Sequence, residues 1–565
     1  MHSTTPAARL NQSASGRFTT APDWTPRLLA MGAAAPVLAA VVVMVGHNQW
    51  SLPHAKLFLL AAQYLFMLPL LALAIRLDRP GQAQILVGKL SARTQALSAI
   101  VLYSILLLPL AFNLGLGRYQ GDESAYLFEA RCLTTGHLSA PQPPAASHAV
   151  LGFAHHLFID GRWLGKYPPG WPLVLSLMTL LKAEWLLNPL LGLLLLFLTY
   201  EIGVEMFGPI EGISATAMLG ASAFMLLNCL GFMSHVLCGL LIAVAALCFV
   251  RALRRSPETR SGAYWTSAML IALLAAELVR PFTAMCAGLA LIAALHFRPD
   301  WPALRRSIAW TGAFAVLTGV VVGFENYLLT GSFFHSAYSA YNNGQLKEFS
   351  LRPRDLFVGL VQFTPVRLVD TASVSFPFIL PLALYGLWRG YRNRAIWALS
   401  LVFLSLVFGY LVQLDDSDSP IGERYYFEGY FALALVAGYG IVQLASDLRL
   451  TSRLRQQLGI ALVTASLAGV LVGTSWEIRL REPSKRMVDA MRTVPFDEGI
   501  VFVKGTKLFP AFNWNFNDPR SRILELIDPG PDKRAAIAEA IGAHHWICLH
   551  YDARTGLPVW LSGSK

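Results

Sequence analysis

The sequence predicts an all-α polytopic membrane protein, with roughly 13 transmembrane helices followed by a small C-terminal extracytoplasmic α/β domain. Three observations carry that expectation. Of 565 residues, 55% are hydrophobic and only 14% charged, and the mean hydropathy is +0.50, whereas a soluble domain carries about 25% charged residues. Apolar runs of spanning length recur along most of the chain, and the basic residues fall in alternate loops between them. The same composition excludes a disordered chain, which needs low hydrophobicity.

A helix that crosses about 30 Å of hydrocarbon needs about 20 apolar residues. Runs of that kind lie at 28 to 46, 55 to 75, 96 to 114, 185 to 206, 213 to 231, 236 to 253, 263 to 279, 281 to 297, 308 to 326, 374 to 388, 395 to 413, 426 to 446 and 458 to 476. The polar segment 1–27 carries no small-residue cleavage signature behind its first apolar run, so that run reads as a retained anchor.

Charge then sets the orientation. Arg9, Arg17 and Arg27 precede the first run; Arg76, Arg79, Lys89 and Arg93 follow the second; Arg251, Arg254, Arg255 and Arg260 follow the sixth. Arg298, Arg305 and Arg306, then Arg389, Arg392 and Arg394, then Arg449, Arg453 and Arg455 continue the alternation. By the positive-inside rule these loops are cytoplasmic, with the N-terminus, and the C-terminus lies outside. Most of the net charge of +11 is thereby topological, and a nucleic-acid partner loses its main support.

The outer side receives a long first loop (115–184), a second (327–373), a short acidic loop (414–425) and a tail (477–565). Residues 28–476 form the membrane domain and the tail forms the outer domain. In the tail, GIVFVKG near 500 and HHWICLH near 545 read as strands with a helix at 533–542 between them. WPLVLSLMTLL, residues 171 to 181, is too short to span and reads as an interfacial helix.

Six cysteines are too few for a disulfide framework. Cys229, Cys238, Cys248 and Cys286 lie in apolar runs, while Cys132 and Cys548 fall in polar segments and would pair only if both face an oxidising compartment; their spacing does not decide it.

The chemistry-bearing residues crowd the first outer loop, which begins GRYQGDESAYLFEARCLTTGHLSAPQPP. Asp122 and Glu123 would stand just above the headgroups as a general base or as metal ligands, or simply favour a helix N-terminus. Further on, KYPPGWP holds Lys166 and Tyr167 before a proline-stiffened helix start, where Lys166 would meet a lipid phosphate or snorkel. Arg280, before Pro281, and Arg424, in GERYYFEGY, stand on the side where basic residues are not expected. A pair with Glu277, or with Asp415, Asp416 or Asp418, is the plainer reading of each.

His235, at an outer turn, would orient a sugar, assist a metal or serve the structure. His155 and His156 lack a spaced partner set for a metal. Phe333, Phe334, Tyr338 and Tyr341 suit sugar rings or an interfacial aromatic belt alike. No phosphate-cradling glycine motif marks the inner side for a nucleotide.

The acidic pair opening the loop, the A-x-x-L-x-x-G-x-L-x-x-P-like run behind it and K-Y-P-P-G-W-P before a short helix together resemble the polyprenyl-phosphate-sugar-dependent glycosyltransferases of the GT-C superfamily. The nearest branch in kind holds the protein O-mannosyltransferases and the aminoarabinose transferase of lipid A. The likeness rests on the first loop and on the plan of a multispan body with a C-terminal outer domain.

It implies a catalytic or metal-binding carboxylate at Asp122 and a donor-phosphate contact at Lys166; Glu123 stands beside the first as a second catalytic candidate, and Arg424 and Arg280 are phosphate candidates from their placement on the outer side. His235, Tyr167, Tyr338 and Tyr341 are candidates for sugar or acceptor contacts. It further implies a lipid-phosphate sugar as donor, inversion at the sugar carbon, a glycan, lipid or protein acceptor, and membrane lipids as surroundings in a bacterial inner membrane. A divalent cation at Asp122 stays open, because the family holds members of both kinds. The rival readings are a lipid or glycolipid transporter or flippase, and an oligosaccharide ligase or polymerase. Transporters usually show internal repeats and broken mid-membrane helices, and neither stands out here.

Overall fold

A computed structural model describes residues 25–45, 52–77, 91–115, 117, 121–255, 260–296, 301–342, 350–413, 423–507 and 509–564. Asp415, Asp416 and Asp418, and most of segment 1–27, lie outside them.

Among the described residues, nine helices are long and apolar enough to cross a membrane, or ten if one helix pair bent by 104° is a single span. The expectation of 13 differs at four places. The run at 213 to 231 divides into Pro209–Gly220 and Ala223–Asn228, because Ser222 caps a new helix by accepting a hydrogen bond from the Met225 N–H. The run at 281 to 297 is the shorter helix Pro281–His296. Arg260–Glu277 is not among the nine. The run at 374 to 388 belongs to the bent pair Pro353–Val374 and Ile379–Arg389, whose corner holds Phe378 in the left-handed region at φ 62°.

The helices bury small residues and large aromatic side chains against one another, among them Ala276, Phe224, Phe314, Tyr430 and Phe431. Branched aliphatic side chains such as Leu102, Val316 and Ile271 face outward, as a lipid solvent requires.

The first loop is built rather than loose. Gly121–Thr134 is a helix with Asp122 and Glu123 in its first turn and Arg131 in its last, the charge order that a helix dipole favours. Three short strands follow: β1 (Ala140–Pro141), β2 (His156–Ile159) and β3 (Arg162–Gly165), in the order β1-β3-β2, all antiparallel. Asp160 and Gly161 turn the β2–β3 hairpin, both at positive φ, the two-residue turn that Asp-Gly favours. The hairpin delivers Lys166 and Tyr167 directly after β3. Gly170–Leu180 then forms the short helix expected at 171 to 181. Trp171 is buried and donates to the Phe232 carbonyl at 2.7 Å, while Leu173, Leu177, Leu180 and Leu181 stay exposed. That division suits a helix lying along a bilayer surface.

After the 40-residue helix Ser452–Met491 comes a four-stranded sheet of order β5-β4-β6-β7. It comprises β4 (Glu498–Lys504), β5 (Arg522–Ile527), β6 (Trp546–Asp552) and β7 (Leu557–Ser564). β4 pairs in parallel with β5 and β6, and β7 closes antiparallel on β6. The strands expected near 500 and 545 and the helix between them, Pro531–Ile541, are present. β5 and β7 are additions.

This sheet shares one apolar core with the first loop: Phe128, Cys132, Phe153 and Trp163 pack with Ile500, Phe502, Leu526 and Cys548. Hydrogen bonds reinforce the contact. Arg131 Nη1 donates to the carbonyls of Phe516 and Asn517, both at 2.9 Å, and Ser124 Oγ donates to the Asn513 carbonyl at 2.8 Å. Cys132 and Cys548 are both buried free thiols, pushed up by burial to about 12 and about 11 respectively.

Candidate active site

Asp122 is the centre of a charged cluster. The Tyr167 hydroxyl donates to its Oδ1, His155 Nε2 lies 3.1 Å from the same oxygen, and Arg424 Nη1 donates to Oδ2 at 2.9 Å. Burial opposes the charge on Asp122, but Arg424, His155, Lys166 and the Tyr167 hydroxyl outweigh it and hold the carboxyl well below the ordinary aspartate range. His155 is lowered to about 4, first by burial and then by Lys166 and Arg424, against the pull of Asp122. It is also held at a backbone φ of 64°, an uncommon conformation for a residue with a side chain and one that clusters at functional sites.

Lys166 is 3% exposed. Its Nζ lies 4.7 Å from the Tyr341 ring centre, 4.8 Å from Tyr338 and 5.5 Å from Tyr167, an aromatic surround that stabilises a cation as it is desolvated. The strand geometry explains its height. The Lys166 N–H donates to the His155 carbonyl at 3.0 Å, so the hairpin holds the lysine and the histidine together. Gly165 leaves room beside them for the Glu129 carboxylate, which a side chain at 165 would displace. Burial raises the Glu129 carboxyl well above its usual range, with only the Tyr167 N–H opposing.

A second group adjoins the first. Arg280 Nε pairs with Glu428 Oε1 at 2.8 Å, and His235 Nδ1 meets the same oxygen at 2.9 Å. Arg280 also donates to Ser234 Oγ at 3.4 Å, and Ser234 is 3.1 Å from the hydroxyl of Tyr126, one turn after Asp122 on the same helix face. Tyr425 joins the groups, lying 5.3 Å from the Arg424 guanidinium and 5.7 Å from that of Arg280.

Lys166, Tyr167, Arg280, Tyr338, Tyr425 and Glu325 line a cavity of about 230 Å³. Tyr167 and Tyr425 thus touch both this cavity and the Asp122 cluster. A larger cavity, about 640 Å³, lies along Leu127 and Arg131 of the same helix and contains none of the cluster.

The expected residues therefore divide. Asp122, Lys166, Tyr167, Arg280, Arg424, Tyr338 and Tyr341 come together. Glu123 does not: it is fully buried and bound by Arg481, whose Nη2 is 3.0 Å from Oε1 and Nη1 3.3 Å from Oε2, with the Phe232 N–H donating to Oε1 at 3.1 Å. Successive residues on a helix point about 100° apart, so a sequence pair of carboxylates is not a spatial pair. His235 is likewise fully buried against Glu428, which makes it a support for Arg280 rather than a group open to a sugar. Glu277 does not take Arg280; it accepts from the Thr318 hydroxyl at 2.5 Å.

Sequence reasoning missed His155, Glu428, Arg481, Tyr126 and Tyr425. The Asp160–Gly161 turn signal was the clue to His155, since it pairs β2 with β3 and sets the histidine opposite Lys166.

A divalent cation is poorly matched to this donor set. Among the described residues no group of three or more His, Cys, Asp or Glu side chains converges. Asp122 and His155 supply two donors, and Arg424 and Lys166 beside them repel a cation.

No family model matches the chain, and no curated protein matches it. Solved structures do. ArnT from Cupriavidus metallidurans bound to undecaprenyl phosphate superposes with a TM-score of 0.54 at 13% identity, covering 81% of this chain and 94% of that one. Its apo state gives 0.52 at 13% identity over the same shares. The apo oligosaccharyltransferase of Archaeoglobus fulgidus gives 0.49 at 12% identity, covering 80% of this chain and 69% of that one. The chain shares its fold with ArnT.

Proposed function

We propose that this protein transfers a sugar from a polyprenyl-phosphate-linked donor to an acceptor hydroxyl at the outer face of a bacterial inner membrane, with inversion. The single observation that carries the reading is the convergence of one carboxylate, Asp122, with Lys166, Arg424 and Arg280 at the end of the helix bundle that bears the C-terminal sheet. A fold shared with a protein that binds undecaprenyl phosphate supports the donor class.

A sugar on a lipid phosphate already carries a good leaving group. Transfer then needs the acceptor hydroxyl deprotonated and the departing phosphate stabilised. Asp122, ionised throughout the physiological range, is the proton acceptor. The pair with Arg424 weakens it as a base. A phosphate entering the cavity beside Lys166 and Arg280 competes for Arg424 and leaves Asp122 the stronger base at the moment of need. His155 and Tyr167 keep the carboxylate oriented. The basic alternate loops put the N-terminus in the cytoplasm and the C-terminal sheet outside, and 477–565 acts as an outer domain that fixes the loop at 115–184.

The test is transfer by purified protein supplied with a lipid-linked sugar. Asp122→Asn is expected to lower the rate by about 100-fold or more. An undiminished rate would remove Asp122 from the mechanism.

A further inference from the structure

The cavity holds one carboxyl group that the proposed transfer does not use. Glu325, on helix Trp301–Thr330, is 3% exposed and lines the same cavity as Lys166 and Arg280. Its Oε1 is buried without a hydrogen-bond partner, and among the described residues no group donates to either of its oxygens. Its charged neighbour is Glu277, on the helix packed against it, and that carboxylate is occupied by Thr318, two turns before Glu325 on the same face. No hydrogen bond among the described residues joins the two carboxylates, so they do not satisfy one another.

A buried carboxylate without donors is costly, and such groups in native structures call for a ligand, a water or an ion. The cavity itself indicates which. Its two cations suit a phosphate, and the part of a lipid-phosphate sugar next to the phosphate is a ring bearing hydroxyl donors. A carboxyl group accepts hydrogen bonds from neighbouring hydroxyls through both oxygens when ionised, and accepts one while donating another when protonated, so in either state it suits a ring hydroxyl pair. Asn326, adjacent on the helix, also lines the cavity and supplies both a donor and an acceptor.

We infer that Glu325 reads the donor sugar, accepting hydrogen bonds from its ring hydroxyls while Lys166 and Arg280 hold the phosphate. The inference rests on the lipid-phosphate donor reading above and adds the residue that selects among sugars.

The experiment compares binding of bare undecaprenyl phosphate with binding of undecaprenyl phosphate carrying mannose, glucose or arabinose, using full-length protein in nanodiscs. Wild-type protein is expected to prefer at least one sugar-bearing lipid over the bare one. Glu325→Leu should weaken that lipid by roughly 10- to 100-fold and leave bare undecaprenyl phosphate unchanged. Glu325→Gln, which keeps an acceptor oxygen and the side-chain shape, should lose less and serves alone if the leucine variant does not fold. Lys166→Ala should weaken both ligands. Equal loss of both ligands in the Glu325 variants, no loss in either, or a wild-type protein with no preference for any sugar-bearing lipid would overturn the role of Glu325. Wild-type protein that binds neither kind of lipid would overturn the donor reading itself.

Discussion

Asp122 and Arg424 stand 302 positions apart in the chain, yet a guanidinium nitrogen of one lies 2.9 Å from a carboxylate oxygen of the other. The pair joins the first outer loop to the segment that starts the helix Tyr430–Asp447. If a phosphate competes for Arg424, removing the arginine acts on donor and base together. Arg424→Ala is expected to weaken binding of bare undecaprenyl phosphate by about 10-fold or more, as loss of a charge-assisted hydrogen bond does. Lys166→Ala should do the same while leaving the Asp122–Tyr167 contact intact. Lipid-phosphate titration of both variants in nanodiscs checks this, and unchanged affinity in both would count against the phosphate site.

Glu123 and Arg481 make the opposite kind of pair, sealed from solvent and closed on both carboxylate oxygens. Breaking it leaves an uncompensated buried charge, which typically costs about 3–5 kcal/mol. Arg481→Met should lower the thermal midpoint strongly, while the folded fraction keeps its turnover rate. Asp122→Asn differs in kind: it also loosens the Arg424 pair and lowers the midpoint, but turnover is lost even in the fraction that stays folded. A Glu123→Gln variant that folds well but does not turn over would return Glu123 to the chemistry.

The two loop histidines predict a stability profile in acid. His155 and His156 are lowered by burial to about 4 and about 3, below the value of about 6.5 that they take when unfolded. Between those values the unfolded chain binds more protons than the folded one, so stability falls as pH drops from about 6.5 towards 4. Asp122, depressed in the folded state, adds a further loss only below about 4. Glu129, whose carboxyl burial raises, gains stability over the same range, so the histidine contribution is read as a difference: thermal melts should show His156→Gln losing less stability than the wild-type protein between about pH 6.5 and 4. Equal losses in the two proteins would contradict the burial of this ring.

Much of the site was legible because its residues broke local expectations. Lys166 stood before two prolines, and Arg280 and Arg424 lay where the charge pattern of the loops does not put cations. What stayed hidden depended on long-range contact. Nothing near Glu123 in sequence announces Arg481, and nothing near His235 announces Glu428. Hydropathy windows average across a local break for a related reason, so the helix that Ser222 newly caps left no trace in the run at 213 to 231. The C-terminal strands at 500 and 545 were visible as apolar runs, whereas β5 and β7 carry mixed residues and are fixed by pairing with their neighbours.

The central claim is that the Asp122 cluster breaks the bond between a sugar and a lipid phosphate. The most direct measurement supplies purified protein in sealed vesicles with undecaprenyl-phosphate-linked mannose, glucose or arabinose and a mixture of envelope glycans, lipids and proteins. Mass spectrometry then reads the products. The account predicts that an acceptor gains the mass of one hexose or pentose, that free undecaprenyl phosphate appears in equal amount, and that Asp122→Asn abolishes both. Movement of the intact lipid-linked sugar across the bilayer, with no mass gain on any acceptor, would contradict it and identify a transporter instead.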